Sequence, residues 1–210
     1  AFDQKVAYLG KDEGCCGSVL LKTGQRQAYL RTKKRAIDAI SVTGATKIVT
    51  GCPGCFATLA SWKSEGLGIK VEHISQTVDR LLEAHPDLFR TSDELVTYHD
   101  PCDLGRQGGV YNEPRRLLRS VPGTRVVEMG HNRDRALCCG SGGGVKTAFP
   151  RLAGAIASKR IAEAKATGAK TLVTACPWCE SNLNEAARAT GSGVDVVDLV
   201  SFLVARLNVR

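Results

Sequence analysis

The feature of this sequence that most limits its fold is a repeated arrangement of cysteines. The pair in Cys52-Pro-Gly-Cys55 recurs 124 residues later in Cys176-Pro-Trp-Cys179 (176 − 52 = 124). The triplet Cys15-Cys16-Gly17 recurs 123 residues later as Cys138-Cys139-Gly140 (138 − 15 = 123). The ninth cysteine, Cys102, precedes the second set. Matching motifs at one fixed offset indicate two copies of a single structural unit.

The residues that flank the cysteines repeat as well. Residues 44–55 resemble residues 168–179, and residues 71–75 recur as residues 194–198 (194 − 71 = 123). We therefore expect two similar domains: residues 1–92, which carry four cysteines, and residues 93–210, which carry five.

The first repeat is predicted to be incomplete. Cys102 precedes Cys138 by 36 residues, and the same step back from Cys15 leads to a position before residue 1 (15 − 36 = −21). The strand that leads to Cys102 lacks a counterpart for the same reason, so the first repeat is expected to lack its N-terminal strand. Residues 6–9 are strand-like in composition.

Short apolar runs alternate with helical patterns in the second repeat, which predicts an α/β fold. Strands are predicted at residues 95–99, 125–128, 171–174 and 194–197, and helices at residues 113–119, 150–167, 176–187 and 198–207. Such alternation is typical of mostly parallel sheets flanked by helices, here one small sheet in each repeat. Leu152, Ile156 and Ile161 are expected on the apolar side of the long helix.

The cysteines follow the ends of predicted strands. In parallel sheets, ligands bind beyond the carboxyl ends of the strands. Cysteines that are far apart in sequence are therefore expected to meet at one edge of each sheet.

Composition restricts where such a protein works. No run of about 18 apolar residues is present, and the N-terminus shows no secretory pattern, so cysteines in a reducing compartment are expected. The net charge is +8, but only 5% of residues are aromatic and no basic helix has a docking pattern for nucleic acid, so a nucleic-acid partner is not expected.

Three chemistries fit clustered cytoplasmic cysteines. Iron–sulfur clusters normally use four thiolates, and a fifth suits an opened cluster in which one cysteine bridges irons. Zinc also binds four thiolates, so it fits the four-cysteine first site best. Zinc ribbons, however, place their two Cys-x-x-Cys pairs much closer together in sequence than they are here. A dithiol redox centre would explain Cys-Pro-x-Cys alone, but neither Cys102 nor the Cys-Cys pairs.

Two further groups are candidates for the second site. Gly140, Gly142 and Gly143 follow Cys139 and suit close backbone approach and N–H donation to sulfur. His99 is a candidate proton donor to a leaving thiolate. The alternative is that His99 ties the strand to the following loop.

The pattern of Cys102, Cys138-Cys139-Gly140 and Cys176-Pro-Trp-Cys179 resembles the cysteine-rich CCG domains of the heterodisulfide reductase catalytic-subunit family. The stretches from Tyr98 to Arg106 and from Cys138 to Lys146 resemble its membrane-linked branch, whose members dock on a cytochrome b. The resemblance extends over essentially the whole chain.

This resemblance implies an oxidoreductase subunit that reduces or forms a disulfide at a non-cubane [4Fe–4S] cluster in two one-electron steps. The implied cluster ligands are five cysteines: Cys102, Cys138, Cys139, Cys176 and Cys179. Of these, Cys102, Cys138 and Cys139 are the implied catalytic cysteines, together with the candidate His99. The first site, with Cys15, Cys16, Cys52 and Cys55, is expected to hold a second [4Fe–4S] cluster or zinc.

The implied partners are a small-molecule disulfide or thiol and other redox subunits: ferredoxin-like, flavoprotein or cytochrome b. The implied location is the cytoplasm, or the cytoplasmic face of the membrane as part of a complex. Two other functions remain open at this point. One is an electron-transfer subunit that relays electrons between a flavoprotein dehydrogenase and quinone or cytochrome, and the other is a zinc-binding structural module.

Overall fold

The computed structural model describes residues 4–65, 68–85 and 87–208. The outer ends of the two predicted repeats, at residues 1–3 and 209–210, lie outside the described residues. The elements of the first repeat are α1 (Ser18–Lys22), α2 (Arg26–Ser41), β1 (Lys47–Thr50), α3 (Pro53–Ser61), β2 (Lys70–His73) and α4 (Ile74–Leu82).

The second repeat has more strands. Its elements are β3 (Leu95–His99), α5 (Asn112–Arg119), β4 (Arg125–Val127), α6 (Val145–Ala148), α7 (Pro150–Ala166), β5 (Thr171–Thr174), α8 (Pro177–Ala189), β6 (Asp195–Asp198) and α9 (Leu199–Val204). Short 3₁₀ turns span Gly10–Asp12, Trp62–Glu65 and Arg133–Arg135.

The α/β fold class predicted from the sequence is confirmed. Among the described residues, β1 and β2 form a two-stranded parallel sheet, and the second sheet has the order β4-β3-β5-β6 with every pair parallel. The register relates the repeats, because Thr50 pairs with His73 as Thr174 pairs with Asp198. The domain boundary near residue 92 stays a prediction.

That register corrects one part of the sequence comparison. Asp198 caps α9 by accepting hydrogen bonds from the N–H groups of Val200 and Ser201. The equivalent cap of α4 is His73, whose ring accepts from the N–H of Ser75. The offset there is 198 − 73 = 125 rather than 123. His73 and Asp198 therefore occupy the same structural position although their side chains differ. The sequence comparison, which matched Ser75 with Asp198, is two residues out of register there.

The apolar face of α7 also differs from the prediction. Ile161 is buried, but Leu152 is 53% exposed, and the buried face instead carries Ala153 and Ala157. The backbone at Ala153 lies against the glycine turn after Cys139. A Cβ on Gly140 would lie 2.6 Å from the carbonyl oxygen of Ala153.

Two predicted boundaries were also wrong. Residues 6–9 form no strand, and Val6 and Tyr8 are both more than 80% exposed. Neither of the two described sheets includes these residues. The last helix ends at Val204, three residues earlier than the predicted Leu207.

The two repeats share a core. Phe56 of α3 packs in the apolar cluster that contains Tyr98, Leu104 and Val173 of the second repeat. Arg116 of α5 forms an ion pair with Asp79 of α4. This packing brings the carboxyl ends of both sheets close together. In the described parts of the chain, no helix is both long and apolar enough to cross a bilayer.

Candidate metal centre

Loops at the carboxyl ends of three strands position the cysteines of the second repeat. Cys102 follows β3 after Asp100 and Pro101, and Cys138 and Cys139 lie in the long loop after β4. Cys176 is the N-cap of α8, directly after β5, and Pro177 supplies the first helical residue. The proline favours a helix start at this point, which holds Cys176 and Cys179 on the same turn.

The five thiols of the second repeat form one continuous series of contacts. Cys102 is close enough to Cys138, and Cys138 to Cys139, for each pair to shift its partner's pKa. The Sγ of Cys179 donates to the Sγ of Cys139 at 3.2 Å, and Cys176 is close enough to Cys179 for that thiol to lower its pKa. Cys139, Cys176 and Cys179 are buried, whereas Cys138 is exposed and Cys102 is half-buried. The series therefore has a buried base and an open side at Cys102 and Cys138.

The four thiols of the first repeat have a similar arrangement. The Sγ atoms of Cys16 and Cys55 are hydrogen-bonded at 3.1 Å, and Cys15 and Cys52 lie close enough to them to interact. Cys52 is the N-cap of α3, as Cys176 is of α8. All four are more accessible than the base of the second site, since none of them is buried.

In each site, interactions between neighbouring thiols lower the pKa of some cysteines and raise the pKa of others. Hydrogen bonds from Cys102 and Cys139 lower the pKa of Cys138 to about 2, and the contact with Cys138 raises the pKa of Cys139 to about 12. In the first site, bonds to Cys55 lower the pKa of Cys16 to about 7 and that of Cys52 to about 6. Thiols that lose protons this readily are suited to metal ligation, which requires thiolates.

Backbone N–H groups support the Cys-Cys pairs in both repeats. Gly140 donates to the Sγ of Cys138 at 3.3 Å, and Gly17 donates to the Sγ of Cys15 at 3.3 Å. Both glycines have left-handed φ angles, +82° and +75°. By contrast, a Cβ on Gly142 or Gly143 would meet no atom within 4 Å, so these two residues lie in an open turn before α6.

His99 ends β3 and is buried beside the cysteines. One of its ring nitrogens and the Sγ atoms of Cys139 and Cys179 all lie within 4.8 Å of one another. Its Nδ1 accepts a hydrogen bond from the Nε of Arg160 at 3.0 Å. Burial, and then the charge of Arg160, lower the pKa of His99 to about 3, so the imidazole is neutral.

A buried ion-pair network that the cysteine motifs did not reveal anchors the Cys102 loop. Arg115 of α5 is fully buried and bonds to both carboxylate oxygens of Asp100, at 2.7 and 2.9 Å. It also bonds to both oxygens of Glu128, at 2.6 and 2.7 Å. Asp100 in turn accepts from the N–H of Arg133, in the loop that leads to Cys138. The network ties two cysteine-bearing loops together.

The two sites are neighbours. The charge of Cys52 acts on Cys176, and the buried ring of His73 contacts the backbone of both Gly51 and Ala175. Across the boundary, Lys22 of α1 forms an ion pair with Asp103, the residue after Cys102. Groups bound at the two sites would therefore sense each other's charge.

The residues of the second site fit an iron–sulfur cluster. They supply five thiols and a buried N–H donor, because the Nε2 of His99 has no hydrogen-bond partner among the described residues. Cluster sulfide accepts hydrogen bonds from such donors. The first site supplies four thiols, which suit either a cluster or tetrahedral zinc.

Comparison with known proteins identifies the family to which these cysteines belong. The family model for the cysteine-rich domain CCG matches residues 3–60 and 96–184. One polypeptide of the dihydromethanophenazine:CoB–CoM heterodisulfide reductase from Methanosarcina acetivorans is 38% identical, over 97% of this chain and 52% of that protein.

Two further relatives have other names. One polypeptide of the fumarate reductase (CoM/CoB) from Methanothermobacter marburgensis is 34% identical, over 90% of this chain and 38% of that protein. The EtfAB:quinone oxidoreductase of Syntrophomonas wolfei is 28% identical, over 87% of this chain and 27% of that protein. The chain thus spans about half, or less, of the length of the curated relatives it matches.

Proposed function

This chain belongs to the cysteine-rich CCG-domain family, and from that membership we propose that it is an iron–sulfur oxidoreductase subunit that reduces or forms a disulfide. We assign the reaction to a non-cubane [4Fe–4S] cluster in the second repeat. The observation that carries this proposal is the unbroken series of sulfur contacts among five cysteines from three loops. A cubane cluster needs only four thiolates.

Burial assigns different roles to the five cysteines. Cys139, Cys176 and Cys179 form the buried base and would hold the cluster in place. Cys102 and Cys138 lie on the accessible side, where a disulfide can approach. When bound, such a cluster supplies single electrons and an iron that can bind sulfur. The hydrogen bond from Gly140 favours the thiolate form of Cys138.

The first repeat would hold a second [4Fe–4S] cluster or zinc on its four cysteines. The names of the relatives support other redox subunits as partners, with a disulfide or thiol as the small-molecule substrate. We propose that any location of this chain at a membrane surface results from its binding to the other subunits of such a complex.

A single substitution in each repeat tests the assignment. Cys179→Ser removes a buried ligand of the second site, and Cys55→Ser is the matched change in the first. After anaerobic purification, we expect Cys179→Ser to lose the iron and sulfide of the second cluster and the EPR signal that depends on added thiol. Cys55→Ser should retain that signal.

Metal analysis of the unmodified chain decides between the chemistries. Iron and acid-labile sulfide are expected, with a brown colour. Zinc in the absence of iron would contradict the proposal and favour a zinc-binding structural module.

Electron transfer without disulfide chemistry is the second candidate. It is favoured by the close approach of the two sites and by the similarity to an EtfAB:quinone oxidoreductase. In that case the cluster would be reduced and reoxidised, but added thiols would leave its EPR spectrum unchanged. A thiol-dependent signal would instead favour disulfide reduction.

A further inference from the structure

Arg160 is a buried arginine that belongs to none of the cysteine motifs. It lies on α7, and its side chain is fully buried. Its Nε donates to the Nδ1 of His99 at 3.0 Å. Its Nη1 donates to the carbonyl oxygen of His131 and to the Oε2 of Glu163, both at 2.7 Å. The bonds to Glu163 and His131 fix the guanidinium group in one orientation.

This contact determines which nitrogen of His99 carries the proton. A guanidinium group has only N–H donors, so the Nδ1 of His99 must accept and the hydrogen must be on Nε2. That Nε2 is buried and has no hydrogen-bond partner among the described residues. A ring nitrogen of His99 lies within 4.8 Å of the Sγ atoms of both Cys139 and Cys179, so sulfur is close enough to supply the acceptor. Leaving a buried donor unpaired is unfavourable, so an acceptor is expected there.

We propose that Arg160 is a positioning residue that fixes His99 as a neutral Nε2–H donor to a sulfur of the cluster held by Cys139 and Cys179. This inference rests on the proposed function, because it needs a cluster at the second site. Hydrogen bonds to cluster sulfur stabilise the more negative, reduced form and raise the reduction potential. Arg160 would thus tune electron acceptance without touching the cluster.

The internal repeat gives an independent argument. The offset of 124 that relates Gly44 to Gly168 places Ala36 opposite Arg160 and Ala39 opposite Glu163. Ala36 is buried, as Arg160 is. An apolar residue therefore satisfies the packing at this position of the fold. The arginine is not needed for packing alone, which points to a role in the second site.

Pulsed EPR of the holoprotein tests the hydrogen bond itself. With ¹⁵N-labelled histidine, the reduced cluster of the wild type should show coupling to one histidine nitrogen and to one proton that exchanges in D₂O. Both couplings should vanish in His99→Phe, which assigns them. If iron is bound and the wild type lacks both couplings, the inference is overturned while the proposed function stands. Absence of iron would overturn both.

Substitution of Arg160 tests the positioning role. Arg160→Met removes every donor at similar length, and Arg160→Lys retains a cationic donor. We expect Arg160→Met to weaken the exchangeable-proton coupling and to lower the ratio of reduced to oxidised cluster at a fixed potential by about tenfold, which is 59 mV for a one-electron couple. Arg160→Lys should recover part of that loss.

A matched control separates tuning from general destabilisation. Arg116→Met removes an arginine that pairs with Asp79 at the surface, and it should leave the potential unchanged. Iron content and thermal unfolding identify any variant that fails to fold, and Arg160→Lys then carries the test beside the wild-type spectra. An unchanged potential in folded, iron-loaded Arg160→Met would overturn the inference.

Discussion

At the scale of single residues, the buried pair of Asp100 and Arg115 determines where Cys102 lies. Both side chains are at most 2% exposed, and the arginine also holds Glu128. Buried charges are tolerated when every partner is present, and the loss of one partner leaves the other uncompensated. The position of one proposed cluster ligand therefore depends on residues with no proposed role in ligation.

Asp100→Asn tests this dependence. We expect the free energy of unfolding of the holoprotein to fall by about 3–5 kcal/mol, because the buried guanidinium group loses its bidentate partner. Anaerobic urea denaturation measures the change. Asp79→Asn, which removes the partner of the more exposed Arg116, should cost only about 0–1 kcal/mol. Equal effects of the two substitutions would contradict the special role of Asp100.

Single residues are also where the sequence was least informative. Arg160 and Arg115 both lie on helices that carry many charges, where an arginine is expected at the surface. Their burial depends on acceptors from distant loops, namely His99 for one and Asp100 with Glu128 for the other. Helical periodicity is read from one helix at a time, so it gives no information about a hydrogen-bond acceptor in another element.

At the scale of elements, strand positions were predicted well and helix faces less well. β3 and β5 have the predicted bounds, 95–99 and 171–174, because each is a short apolar run with clear breaks on both sides. The face of α7 was wrong because close packing, rather than hydrophobicity, selects its buried residues. Leu152 has the larger apolar side chain but is 53% exposed, whereas Ala153 is buried beside Gly140.

Gly140→Ala tests that close approach. Its φ of +82° disfavours a side chain, and the added Cβ would lie 2.6 Å from a carbonyl oxygen of α7. We expect a loss of about 1–3 kcal/mol in the free energy of unfolding and a loss of bound iron. The control is Gly142→Ala, where a Cβ meets open space and the change should stay within about 0.5 kcal/mol. Full iron loading in Gly140→Ala would argue against the close packing.

At the scale of the whole molecule, the repeat predicted from the cysteines explains the architecture. Strands β1 and β2 correspond to β5 and β6, and helix α3 corresponds to α8. The convergence of distant cysteines followed from the rule that ligands collect at the carboxyl ends of parallel strands. The sequence did not indicate how the repeats pack together, since that depends on side chains such as Phe56 that fill the core of the other repeat.

Phe56→Ala tests the shared core. Removal of this ring, which is 8% exposed and packs edge-on against His73, should lower the free energy of unfolding by about 3–5 kcal/mol. Because the ring joins the repeats, we also expect the EPR spectra of both sites to change. Val42→Ala, at a residue that is 85% exposed, serves as the control and should be nearly neutral. A change confined to the first site would indicate that the repeats are independent.

The presence of Arg160 in one repeat and Ala36 in the other has an evolutionary consequence. After a duplication, two copies of one structural position can diverge separately, so one copy can acquire a costly buried charge while the other keeps the cheaper packing. Arg160→Ala would therefore give the second repeat the residue that the first repeat has at this position.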